Sequence, residues 1–344
     1  MEIQRVNVTK KGSMAIYNYL LENPPPSYRA PSKSLRPNMY SERGKAIVSV
    51  VRSDDRAKGI RKAVKLLGRI DPLVEGVKGE ILIKPNCNTD DPYPRDTHPD
   101  TVEEIARMLI EAGISPEKIV LGETSGRGRG LPTIHTLGNL GMLRVAEKLG
   151  IEVCPFEDGE WVTVKPPCSK AWPEGIKIPR RVYEAERVIL APILRPHSTA
   201  IFTIGLKLGV GMLDSQGREW LHDGRNFFPK LLELNLAYSA DLIIADASKV
   251  LVDKELTKNV EPGIIIASGN RVSCDAISVA LMRLYGAERV SQKSIREHEQ
   301  FKIATELDLG SSKPENIIIR SSNLTEDPTF PDLIDGLKQE LKAS

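Results

Sequence analysis

Cysteine is scarce and scattered. The four in 344 residues, Cys87, Cys154, Cys168 and Cys274, form no CxxC pair and no ferredoxin-like run, so a cysteine-ligated iron–sulfur cluster is not expected. Long apolar runs are missing too. No stretch approaches the roughly 18 residues of a membrane span. The N-terminus, MEIQRVNVTKKGSMAIYNYLLENPPP, lacks the apolar core that a signal peptide requires. These absences point to a cytoplasmic protein with no membrane partner. Net charge is also small: 48 basic against 46 acidic residues leave +2, which gives no electrostatic reason to expect nucleic acid.

What is present is an alternation of strand and helix patterns. AIVSVV (46–51), EILIKPN (80–86), KIVLGE (118–123), IEVCPF (151–156), RVILAPI (187–193), DLIIADA (241–247) and GIIIASG (263–269) are short apolar runs suited to buried strands. Helical patterns separate many of them. In PDTVEEIARMLIEAG (99–113), Val102, Ile105, Ala106, Leu109 and Ile110 follow the spacing of one helix face, Pro99 suits the first turn and Gly113 the C-terminal cap. Segments 54–70, 141–150 and 271–286 also read as helices. The fold class is therefore α/β, a mostly parallel sheet with helices on both faces, and ligand groups are expected at the carboxyl ends of the strands. Residues 1–44, with Pro24-Pro25-Pro26, Pro31 and Pro37, read as an extended arm that wraps the domain or joins a second subunit in a homo-oligomer. Residues 45–325 form the main domain, either one body or two lobes at about 45–185 and 186–325 with a crevice between them, and 326–344 is a C-terminal tail or helix.

The candidate chemistry follows from strand ends and from the five histidines. Lys84 and Asn86 leave a strand where they would face a crevice, and His98 follows that loop, either in the crevice or at the start of the next helix. SGRGRG (125–130) follows the next strand. Ser125, Gly126, Arg127 and Gly128 could bring backbone N–H groups and charge, with Arg129, to an anion, but the segment is neither a Walker A loop nor a full GxGxxG. Asp246 ends its strand where a carboxylate would orient a histidine or a cation, and Asp275 lies where it would favour a helix N-terminus; local capping is the alternative at both. The densest segment is RVILAPILRPHSTAIFTIGLKLGVGMLDSQGREWLHDG (187–224). His197 ends a strand, Lys207 follows ten residues later among apolar and small residues, and His222 fifteen beyond that. A lysine there must be paired, neutralised or covalently used; pairing with Asp214 or Glu219 competes with attachment of a cofactor.

In order and approximate spacing, ILIKPN, THPDTVEEIARMLIEAG, IVLGETSG, EAERVILAPILRPH, GLKLGVG and IIIASGNRVSCDAISVALMRLYG resemble domain of unknown function family 362, over about residues 46–290. That family usually has Lys-Thr-His where this chain has Arg195-Pro196-His197, and Lys-Asn where it has Lys207-Leu208. RPHSTAIFTIGLKLGVGML followed by His222 is also similar to a segment of the nickel-pincer lactate racemases. That resemblance implies His197 as acid/base, Lys207 as anchor of a pincer nucleotide and His222 as ligand to nickel or another metal. The racemases' second acid/base histidine falls near Ser125–Arg127, where this chain has none, so a one-base oxidation, reduction or elimination is expected over racemisation. The readings are then an enzyme moving a proton or hydride on a small anionic metabolite, a non-catalytic ligand- or metal-binding accessory protein, and a structural assembly factor.

Overall fold

The computed structural model describes residues 9–126 and 129–343. Its centre, among those residues, is a nine-stranded sheet. Eight strands cross it: β1 (Lys45–Arg52), β2 (Ile81–Pro85), β3 (Ile119–Glu123), β4 (Glu152–Pro155), β5 (Arg187–Ala191), β6 (Leu242–Ala247), β7 (Ile264–Ser268) and β8 (Ile317–Asn323). Their spatial order is β8-β1-β7-β6-β5-β2-β3-β4, and Ser41–Glu42 adds a short antiparallel partner to the start of β1. Neighbours are parallel except around β7, which runs antiparallel to both β1 and β6.

The strands show no polar alternation because both faces of the sheet are covered. Ile81 and Ile83, Ile119 and Leu121, Ile189 and Ala191, and Leu242 and Ile244 enter one apolar cluster; Leu82, Val120, Val188 and Leu190, and Ile243 and Ala245 enter the other. Helices Arg56–Leu67, Pro99–Glu111 and Met142–Leu149 close the first face. Helices Phe227–Leu234, Arg271–Leu284 and Phe330–Lys342 close the second, together with a small sheet of Ser27–Ala30, Trp161–Val164 and Ile176–Pro179. Helix Pro99–Glu111 buries Val102, Ile105, Ala106 and Leu109 completely. No helix among the described residues is long and apolar enough to cross a membrane.

Two expectations about organisation change. The N-terminal segment is not extended throughout: Lys10–Glu22 is a helix capped by Thr9, which accepts from the Gly12 N–H at 3.1 Å. Its Tyr17 is buried and donates to Glu219 at 2.7 Å, and Arg36 further along forks onto Asp241. The segment therefore packs on its own chain. The sheet also takes strands from both halves of the chain, with β1 lying between β7 and β8.

Leu109→Ala should lower stability by about 2–5 kcal/mol, the usual cost of emptying a fully buried leucine site. Urea unfolding should show a lower midpoint at unchanged slope; an unchanged midpoint would mean that this helix face is not packed as described.

Candidate functional site

Adjacent parallel strands β2 and β3 end in opposite charges. Lys84 Nζ lies 2.6 Å from Glu123 Oε1, both side chains essentially without solvent contact, and Lys84 also donates to the Pro85 carbonyl at 2.7 Å. Burial lowers the lysine's pKa and raises the carboxyl's, and each charge opposes that drift in its partner. Glu123 then accepts from the backbone N–H groups of Cys87 and Thr124, both at 2.9 Å, so the loops after both strands are tied to one carboxylate.

Beyond β5, Arg195–His197 pairs antiparallel with Ile201–Thr203. Residues of one strand two apart share a face, and Arg195 and His197 both line a cavity of about 170 Å³. The tight turn holds Ile201 at a φ of 70°, an uncommon conformation for a β-branched residue. It also directs the N–H groups of Thr199 and Ala200 onto His197 Nδ1, each at 3.1 Å.

The chain then makes a helical turn, Gly205–Leu208, that carries Lys207 into the same cavity. Asp275, from helix Arg271–Leu284, accepts from the N–H groups of Gly205 and Leu206, both at 2.9 Å. The glycines of GLKLGVG are required by packing. A Cβ on Gly205 would lie 2.9 Å from Asp275 Oδ1, one on Gly209 2.7 Å from the Tyr238 hydroxyl, and one on Gly211 2.6 Å from Lys84 Nζ. Helix Ser215–Leu221 follows, N-capped by Asp214. Its Arg218 donates to the carbonyls of Thr124 and Ser125, and His222 at its C-terminal end donates through Nδ1 to the Arg218 carbonyl at 2.8 Å.

Lys84, Arg195, Lys207 and Arg218 therefore face a cavity in which Glu123, among the described lining residues, is the one acid, and Lys84 already engages it. Lys207 forms no hydrogen bond or ion pair with the described residues. Burial first, then Arg195, Arg218 and Lys84, pulls its pKa down to about 7. Arg195 Nε, Arg218 Nε and Thr203 Oγ1 are buried with no hydrogen-bond partner, a rare condition in a folded protein and a common one at a ligand site. An anion satisfies both the charge and the donors.

The two histidines hold their protons on opposite nitrogens. His197 Nδ1 accepts from two N–H groups, so its ring is neutral with the proton on Nε2. Burial, reinforced by Lys207 and Arg195, drives its pKa down to about 2. A carbonyl can only accept, so His222 Nδ1 carries a proton and Nε2 carries the lone pair. His197 is thus a hydrogen-bond donor toward the cavity, and His222 has the basic nitrogen. The racemase resemblance implied an acid/base role for His197; in this geometry Nδ1 is occupied by the two N–H groups.

Of the residues singled out in the sequence, Lys84, Asn86, Gly126, His197, Lys207 and His222 line this cavity. His98 does not. Its Nδ1 caps helix Pro99–Glu111 by accepting from the Asp100 N–H at 3.2 Å, and it lies in a separate cleft with Arg56, Tyr93 and Lys249. Asp246 is also engaged elsewhere, accepting from Arg56 at 2.8 Å, Tyr93 at 3.0 Å and Thr101 at 2.8 Å. Burial would raise its pKa, but Arg56 and the Ser248 N–H hold it below the usual carboxylate range. Ser125 donates its hydroxyl to the Cys87 carbonyl at 2.7 Å and so fastens a loop. Arg129 pairs with Asp91, away from the cavity, and Arg127 and Gly128 lie outside the described residues. Glu123, Arg195 and Arg218 were not singled out as site residues. Arg218 and His222 have the i, i+4 spacing of one helix face, and Arg195 and His197 the two-residue spacing of a strand face, which were the available signals.

The residues do not fit a metal-bearing nucleotide. A cavity of about 170 Å³ is smaller than the roughly 300–1,000 Å³ of typical cofactor and drug-sized sites.

Fold and site together define an α/β protein with a cationic cavity at the carboxyl edge of a mostly parallel sheet. The model of the family described as domain of unknown function, DUF362, matches residues 81–280, and the chain belongs to that family. The thylakoid-associated protein sll1697 of Synechocystis sp. (strain ATCC 27184 / PCC 6803 / Kazusa) is 24% identical over 299 residues, a match covering 81% of this chain and 88% of that one. Among solved structures, the lactate racemase apoprotein from Thermoanaerobacterium thermosaccharolyticum is similar with a TM-score of 0.45 and 12% identity, over 73% of this chain and 61% of that chain. This chain thus spans less than two thirds of the racemase.

An unpaired lysine among cations opposes folding, so Lys207→Met should be more stable than the native chain, by about 1–4 kcal/mol. The fold holds that proton more weakly than the unfolded chain, so stability of the native chain rises with pH between about 7 and the unfolded value of 10.5. The variant's advantage should be full below pH 7 and fade toward pH 10.5. A variant destabilised equally at every pH would contradict this account of Lys207.

Proposed function

We propose that this protein is an enzyme that binds a small carboxylate or phosphate metabolite in the cationic cavity and moves a proton on it. The observation that carries the reading is the convergence of Arg195, Lys207 and Arg218, none with a carboxylate partner within ion-pair distance among the described residues, beside two histidines of opposite tautomer. Arg195 and Arg218 supply planar, charge-assisted donors for the anion. His197 adds Nε2–H as a neutral donor, suited to an oxygen on which negative charge develops. His222 takes up or returns the proton at Nε2, its ring oriented by the Arg218 carbonyl as a general base requires.

With one basic nitrogen, the arrangement favours proton abstraction with return from the same side, or elimination, over a two-base racemisation. A non-catalytic anion-binding protein would need the cations and not the basic nitrogen. The two readings therefore separate at His222.

Calorimetric titration with lactate, pyruvate and inorganic phosphate should show saturable binding of at least one, weakened about tenfold or more in Arg195→Gln, which removes a charge without touching the Arg218 loop contacts. Equal affinity in that variant would overturn the anion site. In D2O, the native protein should exchange the C–H hydrogens adjacent to the carbonyl of bound pyruvate, followed by proton NMR, and His222→Gln should bind without exchange. Binding without exchange in the native protein would leave the accessory reading in place of the enzyme.

A further inference from the structure

Among the lysines in and around the cavity, Lys207 stands apart in its partners. Three other enclosed lysines each have a carboxylate: Lys84 with Glu123 at 2.6 Å, Lys230 with Asp223 at 2.6 Å and Lys177 with Asp214 at 2.9 Å. Lys207 has none and lies instead among Lys84, Arg195 and Arg218. Its backbone is fixed from outside the cavity by Asp275 on the Gly205 and Leu206 N–H groups and by Asn235, which donates to the Leu206 carbonyl at 3.0 Å.

We infer that Lys207 is a nucleophile that condenses with the carbonyl group of a small 2-oxo acid, forming an imine in the cavity. The inference rests on the anion-binding reading and adds to it the chemical class of the ligand: a carboxylate next to a ketone or aldehyde carbon. A cavity of about 170 Å³ suits an acid of a few carbon atoms and not a drug-sized molecule. A lysine set among other cations is the usual arrangement for an amine that reacts with carbonyls, because it is uncharged near neutral pH.

The steps balance without an oxidant or reductant. The lone pair of Lys207 Nζ forms a bond to the carbonyl carbon as the C=O π pair moves to oxygen, where His197 Nε2–H donates. A proton passes from nitrogen to that oxygen by way of His222 Nε2, giving a carbinolamine. The nitrogen lone pair then closes the C=N bond as the C–O bond breaks, and the remaining N–H proton passes through His222 Nε2 to the departing hydroxyl, so that water leaves and a neutral imine remains. Arg195 and Arg218 hold the carboxylate throughout. Protonated, the imine withdraws electrons from the neighbouring C–H bonds, which lowers the barrier to the proton removal proposed above.

The groups that set the charge state of Lys207 come from every surrounding element. They are Lys84 on β2, paired with Glu123 on β3, Arg195 and His197 on the ribbon, Arg218 and His222 on helix Ser215–Leu221, and Asp275 behind its own turn. All but Glu123, Asp275 and the histidines are positive, and both carboxylates are occupied. Condensation should accordingly rise as pH increases through about 7.

The test is reductive trapping on the full chain, with pyruvate and separately glyoxylate in the presence of cyanoborohydride, read by intact mass and peptide mapping. One reduced adduct on Lys207 is expected with at least one acid, absent in Lys207→Met and Lys207→Arg, each checked for folding by circular dichroism. No adduct with either acid, or adducts spread over surface lysines and unchanged in both variants, would overturn the inference. Calorimetry with the same two acids separates the failures. Saturable binding without trapping removes the imine and leaves the anion site, whereas no binding of either acid, of lactate or of phosphate removes both.

Discussion

Lys84 and Glu123 meet in a place where neither could stand alone. Two neighbouring parallel strands end side by side, one in an ammonium and one in a carboxylate, with almost no water on either. The pair contributes less through its attraction, much of which offsets desolvation, than through what it fixes. Glu123 holds the N–H groups of both following loops, and the Gly211 backbone rests on the lysine closely enough to exclude a side chain. Removing one partner would strand the other charge, a loss of about 3–5 kcal/mol, and would release the loops on which the cavity is built.

From that pair the cavity is assembled outward by contacts between backbone and side chains. Arg218 grips the carbonyls of Thr124 and Ser125, so the helix bearing His222 is registered against the loop after β3. Asp275 grips the N–H groups at the start of the Lys207 turn, so the lysine is registered against the helix after β7. Three segments distant in sequence converge because each is tied by a buried charge to backbone groups of another. Asp246 performs the equivalent task on the other face, bracing β6 against Arg56, Tyr93 and Thr101.

Most of the sheet was legible because its strands are short apolar runs separated by helical periodicity; β2, β3 and β6 begin and end within one residue of the expected runs, and β5 ends two residues short of its own. The antiparallel direction of β7 was not legible, since strand direction lies in the connections and not in GIIIASG itself. The helix Lys10–Glu22 was masked by the prolines that follow it. Within the cavity, His197, Lys207 and His222 were legible as rare residues gathered in one segment. Arg195 and Arg218 were not, because arginine is abundant and nothing local distinguishes a surface one from one enclosed by a distant loop. His98 and Asp246 were expected beside the same crevice as Lys84, but His98 lines a separate cleft and Asp246 is buried on Arg56, Tyr93 and Thr101, because strand-end residues serve both faces of the sheet.

A histidine's position in a motif does not fix its chemistry. His197 occupies the place that the racemase resemblance assigns to an acid/base, yet the turn through Ile201 points two N–H groups at Nδ1 and commits the ring to donating from Nε2. His222, the expected metal ligand, is held at Nδ1 by a carbonyl, which places the lone pair of its neutral ring on Nε2. The same lone pair can serve a metal or a proton. What decides between them here is the company it keeps: a small cavity with two arginines, two lysines and a single engaged carboxylate repels a further cation and attracts an anion. The electrostatics of the enclosing loops, rather than the histidine itself, are what the proposed reading of proton transfer on a negatively charged ligand rests on.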